Sequence, residues 1–118
     1  DKAIEIDPNF FDAYYNQGNS YISLENYYEA IKCYDMAIKI NPNMYQLYNN
    51  KGTSLNNLNK FEEAIKCYDK VIEINPNFPD AYFNKGNSFK GLNKYDEAIK
   101  YYDKTIEMNP YFVNAYYN

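Results

Sequence analysis

Asparagine stands at positions 16, 50, 84 and 118, one every 34 residues. An amide side chain carries both a donor and an acceptor. It can therefore bond the C=O and the N–H of a passing peptide whatever that peptide's side chains are. Asn16, Asn50, Asn84 and Asn118 on one face would form a ladder for an extended main chain. The parts of bond-breaking chemistry are missing: the chain has no histidine, no phosphate-cradling glycine loop, no metal-ligand spacing and no nucleophile–base pair. The expectation is a binding surface with no cofactor and no catalysis. Four net hydrogen bonds contribute about 2–6 kcal/mol, whereas micromolar affinity needs about 8 kcal/mol. Apolar anchors such as Tyr15, Ile22 and Phe83 would have to supply the remainder.

Bulk composition narrows the partner. The net charge is -4, with twelve lysines and neither arginine nor histidine. The lysines alternate with Asp and Glu instead of forming the basic stripe that phosphate neutralisation requires, which excludes nucleic acid. No apolar run approaches the ~18 residues that span a bilayer, so no membrane partner is expected. Cys33 and Cys67 hold the same place in successive repeats. Stacked helices lie about 8–10 Å apart, beyond the ~7 Å reach of a disulfide, which predicts two reduced, packed thiols. None of the nineteen asparagines heads an Asn-x-Ser/Thr acceptor. Both observations point to a cytoplasmic or otherwise intracellular setting.

The amides are positioned by a repeat. Pro8, Pro42, Pro76 and Pro110 recur every 34 residues, and so do Gly18, Gly52 and Gly86, Ala30, Ala64 and Ala98, and Tyr34, Tyr68 and Tyr102. Such a period signals one supersecondary unit stacked on copies of itself. Within the stretch from Tyr45 to Phe78, Leu47, Tyr48, Leu55 and Leu58 trace one apolar helix face. Phe61, Ala64, Ile65, Tyr68, Val71 and Ile72 trace a second. Asn59-Lys60 separates them, with Asn59 and Glu62 spaced as a capping box that Asn93 and Asp96 repeat. Asn75-Pro76 stops the second helix, because proline lacks an N–H and disfavours helix in the residue before it. First helices are predicted near 11–24, 45–58 and 79–92, and second helices near 27–40, 61–74 and 95–108. A helical glycine costs ~1 kcal/mol relative to alanine, so its recurrence implies close packing of Gly52 and Ala64, and of their counterparts, at a helix crossing. Asp35–Lys39, Glu62–Lys66 and Asp96–Lys100 are spaced as i,i+4 surface pairs. The stems of Gln17, Lys51 and Lys85 are expected to cover apolar neighbours while their heads reach water.

These residues carry a resemblance. Tyr14, Gly18, Tyr21, Ala30, Tyr34, Ala37 and Pro42 follow the pattern of a tetratricopeptide repeat, as do Tyr48, Gly52, Leu55, Ala64, Tyr68 and Pro76. Tyr82, Gly86, Phe89, Ala98, Tyr102 and Pro110 complete a third copy. The chain thus resembles that family throughout its length. The resemblance implies an all-α, right-handed α-solenoid of antiparallel helix pairs. Repeats would cover 11–44, 45–78 and 79–112, with 1–10 ending a preceding second helix and 113–118 opening a further first helix. On this reading the chain is an excerpt of a longer array, and its cut ends would favour end-to-end self-association.

The family's first helices line a concave groove that receives a peptide or a partner helix. The resemblance places Asp12, Tyr15, Asn16 and Asn19 in that groove from the first repeat. The second supplies Gln46, Asn49, Asn50, Thr53, Asn56 and Asn57, and the third Asp80, Phe83, Asn84, Asn87, Lys90 and Gly91, with Asn118 beyond. Asparagine ladders similar to this one occur in peptide-binding members of the family. Members that hold a chaperone's C-terminal carboxylate use lysines, an arginine and asparagines. Asn19 and Asn50 match two of those places, but the cationic places fall on Tyr15, Asp80 and Asn84, which argues against such a tail. The function implied is non-catalytic capture of a protein or peptide partner in the groove. The alternatives are a rigid scaffold in a large assembly and the targeting arm of a longer enzyme.

Overall fold

The computed structural model describes residues 8–109, and among them there are six helices and no strand. The helices are α1 (Pro8–Ser23), α2 (Tyr27–Ile40), α3 (Tyr45–Asn57), α4 (Phe61–Ile74), α5 (Pro79–Gly91) and α6 (Tyr95–Met108). Each sequence-predicted helix is present, the C-terminal ends of α1, α3 and α5 falling one residue early. At its other end α1 starts at Pro8 rather than at residue 11. Proline suits a first helical turn because its fixed φ is already helical and the missing N–H is one that would have no partner there; Pro79 opens α5 in the same way. Consecutive helices pack as pairs, α2 then contacts α3 and α4 contacts α5, and the first helices α1, α3 and α5 also touch in sequence. The result is an all-α solenoid of stacked helix pairs.

The turn inside each pair works differently from the sequence expectation. Asn59 and Asn93 do not cap the helices that follow them; Lys60 and Lys94 occupy those positions, and neither helix start has a side-chain cap bond. Asn59 and Asn93 instead adopt left-handed backbone, with φ of 62° and 63°. That geometry closes the preceding helix: Lys60 N–H bonds Leu55 O at 2.8 Å and Asn59 N–H bonds Asn56 O at 3.0 Å. These are the paired bonds of a Schellman ending, which satisfies carbonyls that the helix would otherwise leave unpaired. Asparagine tolerates left-handed backbone better than most residues. In the first repeat the same place falls on Glu25, at φ 58°, where a longer acidic side chain has no such local compensation. Replacing Glu25 with Asn or Gly is therefore expected to stabilise the chain by about 0.5–1 kcal/mol. A urea midpoint at or below that of the wild type would contradict this.

Between pairs, the Asn-Pro turns are held by side chains. Asn41 Oδ1 accepts from Asn43 N–H at 3.4 Å, and Asn75 Oδ1 accepts from Asn77 N–H at 3.3 Å. The hydroxyls of Tyr48 and Tyr82 then donate to the carbonyls of Pro42 and Pro76, at 2.6 and 3.1 Å. Tyr48 and Tyr82 thus each fasten the turn before their own helix.

The core lies between the helices of each pair. Ala30, Tyr34, Ala37, Ala64, Tyr68 and Val71 have no exposed surface. The glycines are buried as expected, but what they make room for is an aromatic ring. A Cβ on Gly18, Gly52 or Gly86 would meet the ring of Tyr34, Tyr68 or Tyr102 at 2.8, 2.7 or 2.8 Å. Ile31 packs from the first pair onto the core of the second. Its counterpart Ile99 is 53% exposed on α6, the last described helix. Both cysteines are buried, and burial pushes the Cys67 thiol up to about 11.

Two ion pairs link successive repeats, while Lys32–Glu29, Lys70–Glu73 and Lys100–Glu97 lie along single helices at i,i+3 spacing. Asp35 does not pair with Lys39; it reaches Lys51 of the next repeat at 2.7 Å, and Asp69 reaches Lys85 at 2.5 Å. Lys100 pairs with Glu97 at 3.3 Å rather than with Asp96. The heads of Lys51 and Lys85 therefore end on carboxylates and not in open water. Partial burial lowers each ammonium's pKa, but its aspartate, together with Cys67 and Glu63 at Lys51 and with Tyr101 at Lys85, outweighs this for a net upward shift.

Candidate functional site

The first-helix face gathers most of the sequence-predicted groove residues, and hydrogen bonds tie them across repeats. Asn50 Nδ2 donates to Asn19 Oδ1 at 3.3 Å, joining α3 to α1. Asn84 Nδ2 donates to Asn49 Oδ1 at 3.1 Å, joining α5 to α3. The expected straight ladder is thus a set of diagonal steps, each using one N–H of a ladder amide to reach a neighbour in the adjacent repeat. Asn16 is exposed on α1. Asn118 lies outside the described residues.

Beneath these amides lies a layer of second-helix tyrosines that sequence reasoning did not assign to the site. The buried tyrosines of the second helices send their hydroxyls through to the first-helix face. Tyr34 OH donates to Asn19 Oδ1, and Tyr102 OH donates to Asn87 Oδ1 at 2.5 Å. In the middle repeat Thr53 replaces that asparagine. There Asn56 Nδ2 donates to the Tyr68 hydroxyl oxygen at 3.2 Å. Asn56 also approaches the Asn84 carbonyl at 3.4 Å and accepts from Ser88 Oγ at 2.7 Å, bridging α3 to α5. Burial raises the pKa of the Tyr34 and Tyr68 hydroxyls well above the ordinary phenol range, and bonds to Asn50 and Thr53 respectively temper the shift. Both remain neutral donors or acceptors near neutral pH. One signal was available in the sequence: tyrosine, not phenylalanine, recurs at 34, 68 and 102, which keeps a hydroxyl in every repeat.

The aromatic candidates divide their surface between core and face. Tyr15 stacks on Phe11 with centroids 6.1 Å apart and tilts against Tyr34 at 6.5 Å. Phe83 tilts against Tyr102 at 5.6 Å. Both are half-buried, so each presents part of a ring beside the amides. Asp12 and Lys90 are exposed, while Gln46 and Asp80 are half-buried. Partial burial pushes the Asp80 carboxyl up. Thr53 turns its hydroxyl to its own helix, donating to the Asn49 carbonyl at 3.0 Å.

A depression of about 280 Å³ opens on this face between α3 and α5, lined by Thr53, Asn56, Asn57, Phe61, Tyr68, Asn84 and Asn87. No ionisable carboxylate or ammonium lines it, so its chemistry is that of neutral donors and acceptors beside the rings of Phe61 and Tyr68. Gly91 lets the Phe61 ring approach α5 closely, since a Cβ there would stand 2.4 Å from that ring. Among the described residues no group of His, Cys, Asp and Glu is arranged to hold a metal ion. Nor is any described helix long and apolar enough to cross a membrane.

The family model of the tetratricopeptide repeat matches residues 11–44, 45–78 and 79–112. The crystal structure of MamA is similar with a TM-score of 0.87 at 25% identity, over 98% of this chain and 67% of that one. The first tetratricopeptide domain of Spaghetti (RPAP3), bound to the HSP90 peptide SRMEEVD, is similar with a TM-score of 0.86 at 27% identity, over 94% and 88%. The TPR2AB domain of yeast Sti1, in a complex with pHSP90, gives 0.83 at 27% identity, over 94% of this chain and 43% of that one. No curated protein matches the chain.

Proposed function

The chain belongs to the tetratricopeptide repeat family, and from that premise we infer that its first-helix face binds an extended segment of a partner protein, chiefly through that segment's main chain. The observation that carries this reading is the row of amides held in place from behind. Asn19, Asn56 and Asn87 are fixed by buried tyrosine oxygens, and Asn50 and Asn84 are fixed by amides of the preceding helix. Pre-positioned groups lose little rotamer freedom on binding, so more of each hydrogen bond appears as affinity. The partly exposed rings of Tyr15 and Phe83 contribute the apolar area that hydrogen bonds alone do not supply.

Structural neighbours bind chaperone peptides, one of them ending in EEVD. That supports a peptide in the groove but not that particular tail. The carboxylates of such a tail need cations, and here Tyr15, Asp80 and Asn84 occupy the cationic places. Asn19 and Asn50, the two residues that do match, bond to each other. An acidic tail would also meet the half-buried Asp80 at close range. A neutral polar segment fits this face better.

The test is a peptide selected from a random displayed library against the intact chain, with affinity measured by calorimetry. Asn50→Ala with Asn84→Ala removes two amides and is expected to weaken binding by tenfold or more, at about 0.5–1.5 kcal/mol per bond. Thermal melts on the same samples separate lost contacts from loosened helices. Unchanged affinity in a folded double variant would mean that these amides serve helix packing alone.

A further inference from the structure

The opposite face carries a second cavity that the groove reading does not use. It lies between the second helices α2 and α4, has a volume of about 430 Å³, and has Ile31, Leu55 and Cys67 as its floor. Repetition shows what this space is shaped to hold. Leu55 and Cys67 correspond, one period on, to Phe89 and Tyr101. There the two rings stack with centroids 5.4 Å apart and planes 8° from parallel. Lys85, paired with Asp69, lies 4.5 Å over the Tyr101 ring. At the first junction Lys51 pairs with Asp35 in the same manner. Its lining counterpart to that ring is the Cys67 thiol.

The rim carries the charge argument. Lys32, Lys51, Lys60 and Lys66 line the cavity, against the carboxylates of Asp35 and Glu63. Glu29 pairs with Lys32 from outside at 3.3 Å. Positive charge still prevails here on a chain whose net charge is -4. Lys60 already lies over an aromatic face, 5.8 Å from the Tyr28 centroid. An ammonium above an aromatic ring is favourable at such distances.

The geometry points to a binding site for an aromatic side chain of a partner polypeptide, flanked in that partner by acidic residues. The ring enters the space that Phe89 and Tyr101 fill one repeat later and lies beneath Lys51. The flanking carboxylates meet Lys32, Lys60 and Lys66 at the rim. The site is independent of the first-helix groove and gives the chain a second contact on its other side.

The probe is the acetylated, amidated pentapeptide Asp-Glu-Phe-Asp-Glu, titrated into the full 15N-labelled chain. Saturable shifts are expected at the amides of Ile31, Leu55 and Cys67, and the Asp-Glu-Ala-Asp-Glu peptide should produce none. Leu55→Phe with Cys67→Tyr installs the pair that the next junction already accommodates, and it should lower the affinity at least tenfold. Should that variant fold poorly, Lys32→Glu with Lys66→Glu supplies the same loss by charge. Asn50→Ala with Asn84→Ala should leave this binding unchanged, which separates it from the groove. The proposal is overturned by absence of shifts at millimolar peptide, by equal shifts with the alanine peptide, or by full affinity in either cavity variant. Phenylacetate binding as tightly as the pentapeptide would identify a small-molecule site and also overturn it.

Discussion

Gly52→Leu is expected to destabilise the chain by about 2–3 kcal/mol, at the upper end of what overpacking usually costs. The change would otherwise help, since leucine gains up to ~1 kcal/mol over glycine in helix propensity. Packing reverses the sign. A Cβ at position 52 already stands 2.7 Å from Tyr68 Cε1 and 2.8 Å from Cζ, and Tyr68 has no exposed surface into which to retreat. Gly52→Ala tests the Cβ alone and should also destabilise despite alanine's propensity. Urea unfolding gives the answer: the midpoint should fall at a constant denaturant slope. A midpoint equal to that of the wild type would show that the α3–α4 pair has slack that this packing does not allow.

The second large effect concerns the ring itself. Tyr68→Ala is expected to cost about 3–5 kcal/mol, as for other buried aromatic truncations. Tyr68 has no exposed surface and sits in a cluster with Leu55, Ala64 and Cys67. Tyr68→Phe divides that cost. It keeps the ring and removes only the oxygen that accepts from Asn56, at about 0.5–1.5 kcal/mol. This smaller variant bears on function as well, because Asn56 spans α3 and α5 at the floor of the first-helix depression. Peptide affinity should therefore drop in Tyr68→Phe even when the fold is intact at the temperature of the assay. If the alanine variant lost less than 1 kcal/mol, or the phenylalanine variant bound normally, the link from core to groove would fail.

The two variants act on one contact, so their effects should not add. In the double variant Gly52→Leu with Tyr68→Ala, the leucine side chain enters the space the ring has vacated. Residues in direct contact commonly show coupling energies of about 0.5–3 kcal/mol.

Much of this architecture was legible in the linear chain. A 34-residue period in Pro, Gly, Ala and Tyr dictated stacked copies of one unit, and apolar spacing of three and four placed all six described helices. These signals are local. A proline breaks a helix whatever surrounds it, and an amphipathic stripe needs only its own 3.6-residue turn to be recognised. The burial of Gly18, Gly52 and Gly86 was readable for the same reason, since each cost in propensity demanded a packing return.

Tertiary structure decided the partners. The sequence put Gly52 and Ala64 at a close helix crossing and paired Asp35 with Lys39 by their i,i+4 spacing. The fold buries both small residues but sets the Tyr68 ring against Gly52, and it sends Asp35 to Lys51 in another repeat. It turned Asn59 from the expected start of one helix into the left-handed end of another. It also made the asparagine row diagonal, Asn19 to Asn50 and Asn49 to Asn84. Each outcome depends on how far a helix is rotated about its own axis and how far the next pair is displaced along the stack. Those two quantities are fixed by side chains meeting from different repeats, and no stretch of sequence contains them. The cavity above Leu55 and Cys67 has the same origin: the residue types were in view from the start, but the space they leave exists only once α2 and α4 stand side by side.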